Sequence, residues 1–200
     1  MPYRYEIRLS GSGGQGLILM GIILAEAIGI YEGKFVSQTQ SYGPEARGGS
    51  SKSEVIVSDE EIDYPKAMKL DVLLAMNQKS CDEFYPDLKP EGLLIVDSTF
   101  VTQPPIPRAF QIPFTRIARE KLKREMVANI IALGAFSQLC PLVSPKAIES
   151  AVLARVPKGT EKLNRDALRA GIAAAKRAKT KWMETEVSPE VPKEDLLDSY

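Results

Sequence analysis

Apolar residues in the first half of the chain fall into short blocks, separated by glycine-rich or polar stretches. Tyr5-Glu6-Ile7-Arg8-Leu9 alternates as a half-buried strand does. Residues 17–25, Leu-Ile-Leu-Met-Gly-Ile-Ile-Leu-Ala, have the composition and length of a buried helix. Residues 35–39 and 53–58 read as two further strands, with a turn at Glu32-Gly33-Lys34 before the first and an acidic turn, 59–63, after the second. Residues 71–76 and 92–97 are near-continuous apolar runs of strand length, the pattern of strands covered on both faces. A helix over 78–85 fits between them. Three prolines within 102–107 mark a surface connection, and residues 110–112 add a short strand. The remaining pattern is helical, over 114–123, 125–139, 145–155 and 160–183. Strands alternating with helices predict a three-layer, Rossmann-like α/β fold: a mainly parallel sheet, helices on both faces and a helical C-terminal part.

Two hundred residues suit one domain, expected over 1–183, followed by an acidic, mobile tail over 184–200. The helix predicted over 125–139 is apolar nearly all round, so Asn129 within it must be buried and needs a hydrogen-bond partner. The last helix carries a run of basic residues, from Lys158 and Lys162 through Arg165 and Arg169 to Lys181, read as a solvated face or a docking surface.

Charge narrows the function classes. Lys and Arg number 26 and Asp and Glu 26, so no net field draws the chain to nucleic acid or a membrane. The apolar runs are too short to span a bilayer, and the first residues lack the layout of a signal peptide, which predicts a cytoplasmic location. The chain has no histidine, so a histidine base or a Ser/His or Cys/His nucleophile pair is excluded. Its two cysteines, Cys81 and Cys140, cannot supply the four ligands of a common iron–sulfur cluster or a structural zinc. Both read as buried apolar residues, and no metal site is expected on this chain alone.

The feature with chemical content is Ser10-Gly11-Ser12-Gly13-Gly14-Gln15-Gly16, between the first strand and the first helix. Without Cβ atoms the backbone can turn sharply there, and the unpaired N–H groups of the helix favour an anion or a carbonyl. Gly11, Gly13 and Gly16 match the dinucleotide fingerprint G-x-G-x-x-G, but the end of the second strand, Ser37-Gln38-Thr39-Gln40, lacks the carboxylate that would hold a ribose hydroxyl. A stand-alone NAD(P)- or FAD-binding domain and a purely structural turn are therefore both open. A second loop, Gln40-Ser41-Tyr42-Gly43-Pro44-Glu45-Ala46-Arg47-Gly48-Gly49-Ser50, should meet the first at one edge of the sheet. Together the loops offer recognition groups and no proton-transfer pair, so no catalytic residue is assigned to this chain.

These two loops, with Ser53-Glu54-Val55, Asp59 to Pro65, Asp71-Val72-Leu73-Leu74-Ala75, Gly92 to Ser98 and Asn129 with Leu133-Gly134-Ala135, resemble the gamma subunit of the 2-oxoacid:ferredoxin oxidoreductases. The likeness covers about residues 5–155, and the motif from Ser41 to Gly49 looks closer to 2-oxoglutarate-type than to pyruvate-type members. The resemblance implies an enzyme that decarboxylates a 2-oxoacid on thiamine diphosphate and magnesium, passes electrons through iron–sulfur clusters to ferredoxin, and yields an acyl-coenzyme A. It also implies that those cofactors are held by other subunits: alpha, beta and, as a further candidate, a ferredoxin-like delta. On this reading Gly11, Gly13, Gly14, Gln15, Gly16, Ser41, Tyr42, Gly43, Pro44, Glu45, Arg47, Gly48 and Gly49 are candidate contacts for coenzyme A or a partner subunit. An assembly module without ligand contacts is the third alternative.

Overall fold

The computed structural model describes residues 3–41 and 50–187. Among the described residues six strands form one sheet: β1 (Arg4–Ser12), β2 (Phe35–Ser41), β3 (Ser50–Ser58), β4 (Leu70–Ala75), β5 (Leu88–Asp97) and β6 (Phe110–Ile112). The α-helices of the described residues are α1 (Leu17–Glu26), α2 (Gln78–Phe84), α3 (Phe114–Lys121), α4 (Ala128–Leu139), α5 (Pro145–Arg155) and α6 (Glu161–Val187). Each predicted element is present, and α6 runs four residues past its predicted end at 183. A π-helical turn, Ala27–Tyr31, prolongs α1, and a 3₁₀ turn, Glu125–Val127, precedes α4.

Strand order is β2-β3-β1-β4-β5-β6. β1 pairs in parallel with β4, β4 with β5 and β5 with β6, whereas β3 is antiparallel to both β1 and β2. Five strands thus share a direction, and β3 alone opposes them. Hairpin pairing of β2 with β3 needs only a short connection, so β3 inserts between β2 and β1.

Alternate residues of the strands feed two cores. Ile7, Leu9, Val55, Val57, Val72, Leu74 and Ile95 face the larger one, closed by α1, α3, α4, α5 and α6. Leu73, Ala75, Leu94 and Val96 face the smaller one, closed by Cys81 and Phe84 of α2 and by Ala67, Val101 and Ala109. The apolar runs of β4 and β5 are therefore covered on both sides, as their composition predicts. Against the larger core α4 and α6 cross so closely that a Cβ on Gly134 would stand 2.3 Å from the Leu168 carbonyl oxygen, and one on Gly171 1.9 Å from that of Ile131.

The polar face of β1 departs from ordinary alternation, which leaves such a face in water. Glu6 and Arg8 are buried beneath residues 66–69 and α2, and Glu54 beside them on β3 is buried too. Glu6 accepts from the Met68 and Lys69 amides at 2.5 and 2.8 Å, and Glu54 accepts from the Ala67 amide at 3.4 Å. Two carboxylates thereby fasten the connection that follows β3 onto the sheet.

Candidate functional site

β1 extends beyond its predicted span, so Gly11 and Ser12 belong to the strand, opposite Ser51 and Ser50 of β3. The turn itself is Gly13-Gly14-Gln15-Gly16. Gly14 and Gly16 have φ of 89° and 75°, a region costly for residues with a Cβ. Gly16 is the N-cap of α1, and its carbonyl accepts from the Met20 amide at 3.0 Å. A Cβ on Gly16 would also stand 2.3 Å from Asn129 Nδ2, so the turn packs directly on α4. Asn129 is buried, and its Oδ1 accepts from the Ile130 amide at 2.8 Å.

Side chains hold the turn against the end of β4. Gln15 folds back: its Oε1 accepts from the Ser12 amide at 2.7 Å and its Nε2 donates to the Met76 carbonyl at 3.3 Å. Asn77 Nδ2 donates to Ser12 Oγ at 2.6 Å, while its Oδ1 caps α2 by accepting from the Ser80 amide at 2.8 Å. The Met76 amide donates to the Ser10 carbonyl at 2.8 Å. Asn77 thus joins the end of β1, just before the glycine turn, to the start of α2 with one carboxamide.

Beside the turn lies a cleft of about 80 Å³, lined by Gly14, Gln15, Met76, Thr115, Glu125 and Ala128 with Met126 at its mouth. Thr115 is fixed by the fully buried Asp97, whose Oδ2 accepts from the Thr115 amide at 3.1 Å and hydroxyl at 2.6 Å. Glu125 pairs with Arg119 at 2.7 Å, and that hydrogen bond holds its carboxyl below the usual carboxylate range. Gly14 and Gln15 of the turn therefore line a small cleft that is also lined by Glu125, whose carboxyl is held low by Arg119.

Of the second predicted loop, only its ends lie within the described residues. Ser41 closes β2 opposite Lys52, and Ser50 opens β3 opposite Ser12, so both loops leave the same edge of the sheet. The Ser50 hydroxyl donates to Glu83 Oε2 of α2 at 2.5 Å. Tyr42, Gly43, Pro44, Glu45, Arg47, Gly48 and Gly49 lie outside the described residues.

Topology disposes of the dinucleotide reading. That fingerprint works inside a parallel βαβ unit, where the second strand lies next to the first and its end reaches the ribose. Here β3 separates β1 from β2, placing the end of β2 about 9.6 Å across the sheet, and no carboxylate stands there. Among the described residues no cluster of three or more His, Cys, Asp or Glu could hold a metal ion. No helix of the described residues is long and apolar enough to cross a membrane.

Sequence reasoning missed Asn77, Thr115 and Glu125 at this edge, and the charged layer beneath it. Asn77 was findable as an N-cap, since Asn before a helical stretch satisfies the first-turn amides. Glu125 arrives from a separate 3₁₀ turn, and no local pattern points it at the glycine turn. In the charged layer, Arg8 Nε donates to Glu54 Oε1 at 2.8 Å, Arg8 also pairs with Asp87, and its guanidinium lies 4.9 Å from the Phe84 ring centroid. Burial opposes the charge on Glu54, but Arg8 and then Lys52 outweigh it and hold its pKa low. Burial also raises the Cys81 thiol to about 11 and pushes Cys140 up, so neither is poised as a nucleophile at neutral pH.

The comparisons with known proteins agree with this architecture. Residues 6–174 match the family model described as pyruvate ferredoxin/flavodoxin oxidoreductase. The 2-oxoglutarate synthase subunit KorC of Methanocaldococcus jannaschii is 50% identical over 177 residues, 86% of this chain and 95% of the relative. The same subunit of Methanothermobacter marburgensis is 46% identical, over 84% of this chain and 95% of its own length. Among solved structures, the gamma subunit of a keto/oxoacid ferredoxin oxidoreductase from Geobacter sulfurreducens superposes with a TM-score of 0.80 at 49% identity, over 88% of this chain and 98% of that one. A 2-oxoglutarate:ferredoxin oxidoreductase from Magnetococcus marinus, solved with 2-oxoglutarate, coenzyme A and succinyl-CoA bound, gives a TM-score of 0.77 at 26% identity, over 87% of this chain and 31% of that one.

Proposed function

The chain belongs to the pyruvate ferredoxin/flavodoxin oxidoreductase family, and from that premise we propose that it is the gamma-type subunit of a multi-subunit 2-oxoglutarate:ferredoxin oxidoreductase. The observation that carries this reading is that the chain matches 95% of the length of the M. jannaschii 2-oxoglutarate synthase subunit at 50% identity. Ketoisovalerate oxidoreductase subunit VorA of Methanothermobacter thermautotrophicus is 39% identical over 67% of this chain, which makes the branched-chain 2-oxoacid the competing substrate class.

In this role the chain supplies surface and not reacting groups. Thiamine diphosphate, magnesium and the iron–sulfur clusters belong to the alpha, beta and ferredoxin-like delta partners, with ferredoxin as electron acceptor. A chain without histidine and with two buried thiols suits that division of labour. The glycine turn, held rigid by Gln15, Asn77 and Asn129, presents its outer backbone to a partner subunit or to coenzyme A. Gly13 is the exposed point of that surface: a Cβ added there meets nothing within 4 Å, and its φ is not in the left-handed region.

Two measurements test the proposal. The chain co-expressed with its partner subunits should give a complex that reduces ferredoxin with 2-oxoglutarate and coenzyme A in preference to 2-oxoisovalerate or pyruvate. Turnover by the isolated chain, or a complex that prefers another 2-oxoacid, overturns it. Gly13→Asp should leave the fold intact yet weaken assembly or raise the KM for coenzyme A. An assembled variant with unaltered kinetics removes the turn from the contact surface.

A further inference from the structure

Away from the glycine turn, a groove of about 500 Å³ lies between the edge strand β6 and the late turns of α6. Its floor is apolar: Phe110, Pro113 and Trp182 line it, with the Phe110 and Trp182 ring centroids 6.0 Å apart. Both rings are only half-buried, so they keep area for an occupant to cover. β6 is also the last strand of the sheet, paired with β5 on one side and with no described strand on the other. The Ser98 amide donates to the Ile112 carbonyl at 3.1 Å, so the backbone groups of Ile112 face β5. Alternation along the strand turns the amide and carbonyl of Gln111 away from β5, and Gln111 lines the groove. One donor and one acceptor thus stand open beside an aromatic floor. Pro113 ends this edge, since it has no amide to offer.

Cationic side chains stand at both ends of the same edge. Arg108 precedes β6 and Arg116 follows it in the first turn of α3, and the strand between them is about 10 Å long. Arg108 has a 3.4 Å pairing with a Glu91 side chain that is 92% exposed, a weak competitor for its charge. Arg116 is exposed, and its guanidinium has no ion pair among the described residues. The two arginines flank the strand and do not converge, so a small anion meets one of them at a time. An extended segment meets both. Its backbone pairs with Gln111, its apolar side chains cover Phe110 and Trp182, and carboxylates about four residues apart reach the two arginines.

We propose that β6 accepts an added strand from another subunit of the assembled enzyme, an extended segment with an apolar centre and a carboxylate at each end. The proposal rests on the reading of this chain as one subunit of a multi-subunit oxidoreductase, and it names a second contact of that subunit. This contact is separate from the glycine turn, because β6 lies three strand spacings, about 14 Å, from β1. It also closes an edge that would otherwise be open to pairing with unrelated chains.

Trp182 is the only tryptophan of the sequence, so its emission reports the groove without labelling. The synthetic peptide acetyl-Asp-Val-Leu-Val-Asp-amide, added to the full-length chain, should shift that emission to the blue and lower acrylamide quenching about twofold. The same peptide with Asn at both ends, or with its central amide N-methylated, should bind about tenfold more weakly. Rising salt should weaken the original peptide. A chain carrying Arg108→Glu with Arg116→Glu should lose the Asp peptide and bind acetyl-Lys-Val-Leu-Val-Lys-amide instead. Absence of a response, or equal binding of all these peptides, overturns the proposal. So does a Trp182 already shielded in the free chain, which would assign the groove to the chain's own residues 188–200, outside the described residues. Shielding that grows with protein concentration would assign it to a second copy and overturn it equally. In the complex co-expressed with partner subunits, the Gln111 amide should exchange with solvent about tenfold more slowly than in the chain alone, and the two arginine substitutions should abolish that protection. A complex that forms with Gln111 exchange unchanged overturns this inference and leaves the subunit reading standing, whereas a chain that joins no complex overturns both.

Discussion

Gly16 bears more constraint than any other single residue of the candidate edge. It occupies the left-handed region, where a Cβ costs about 1–2 kcal/mol, and it touches Asn129 so closely that even a methyl would displace the amide. Gly16→Ala should lower stability by about 2–4 kcal/mol, measured by urea unfolding, whereas Gly13→Ala should change it by less than about 0.5 kcal/mol. Equal effects would mean that the turn geometry is wrong. Glu54 is the second constrained residue, buried against Arg8 with its carboxyl held acidic. Glu54→Gln leaves the Arg8 charge with only Asp87 and should cost about 3 kcal/mol near neutrality. Because the folded-state pKa is lowered, this contribution is complete above the ordinary carboxylate value of about 4.3 and fades as pH falls through the lower folded value. The unsubstituted chain should therefore lose stability in acid more steeply than the Glu54→Gln variant, and parallel pH profiles for the two would contradict the pairing.

Between elements, the contact most sensitive to substitution is the crossing of α4 over α6. A methyl on either crossing glycine would enter the backbone of the facing helix, at Leu168 for Gly134 and at Ile131 for Gly171. Backbone cannot rotate out of the way as a flexible side chain does, so the helices must separate. Gly171→Ala gains about 1 kcal/mol of helix propensity and still should lower the urea midpoint, because separating α6 from α4 loosens packing around Leu168 and Ala175. A raised midpoint would place the two helices farther apart than described. The α2 helix has a comparable role at the sheet edge. Its N-cap Asn77 holds Ser12, and its Glu83 holds Ser50, so one short helix fixes the departure point of the first loop and the return point of the second. Asn77→Ser keeps a cap for α2 but is too short to reach Ser12; it should preserve stability to within about 1 kcal/mol while altering the KM for coenzyme A or the strength of assembly. Unchanged kinetics and assembly would reduce Asn77 to a helix cap.

For the whole molecule the central question is whether the two cores open together. Cys140 is buried in the larger core and Cys81 in the smaller, on opposite faces of one sheet. With both thiols buried and raised, neither should react with a thiol reagent at pH 8 until the chain opens. Their shared sheet predicts that the two react with the same opening free energy, as read by thiol exchange in increasing urea. Faster reaction of Cys81 alone would show the α2 side opening independently, which would bear on how firmly α2 can hold the two loops.

The sequence by itself determined the order and kind of the strands and α-helices, though not of the π-helical turn after α1 or the 3₁₀ turn before α4, because periods of two and of about three and a half residues are written locally by which side chains must leave water. It also carried the family, through motifs whose glycines are legible without coordinates. Tertiary structure decided where β3 goes, because strand pairing is a competition between segments distant in sequence, and the same alternation fits a parallel or an antiparallel neighbour. That choice removed the dinucleotide reading of Gly11, Gly13 and Gly16. Only the folded arrangement showed that Glu6, Arg8 and Glu54 are interior, since a charged residue in an alternating strand is buried when another part of the chain brings its partner and its cover. The groove beside Trp182 likewise exists only because β6 and α6, some 70 residues apart in the chain, come together in the folded state.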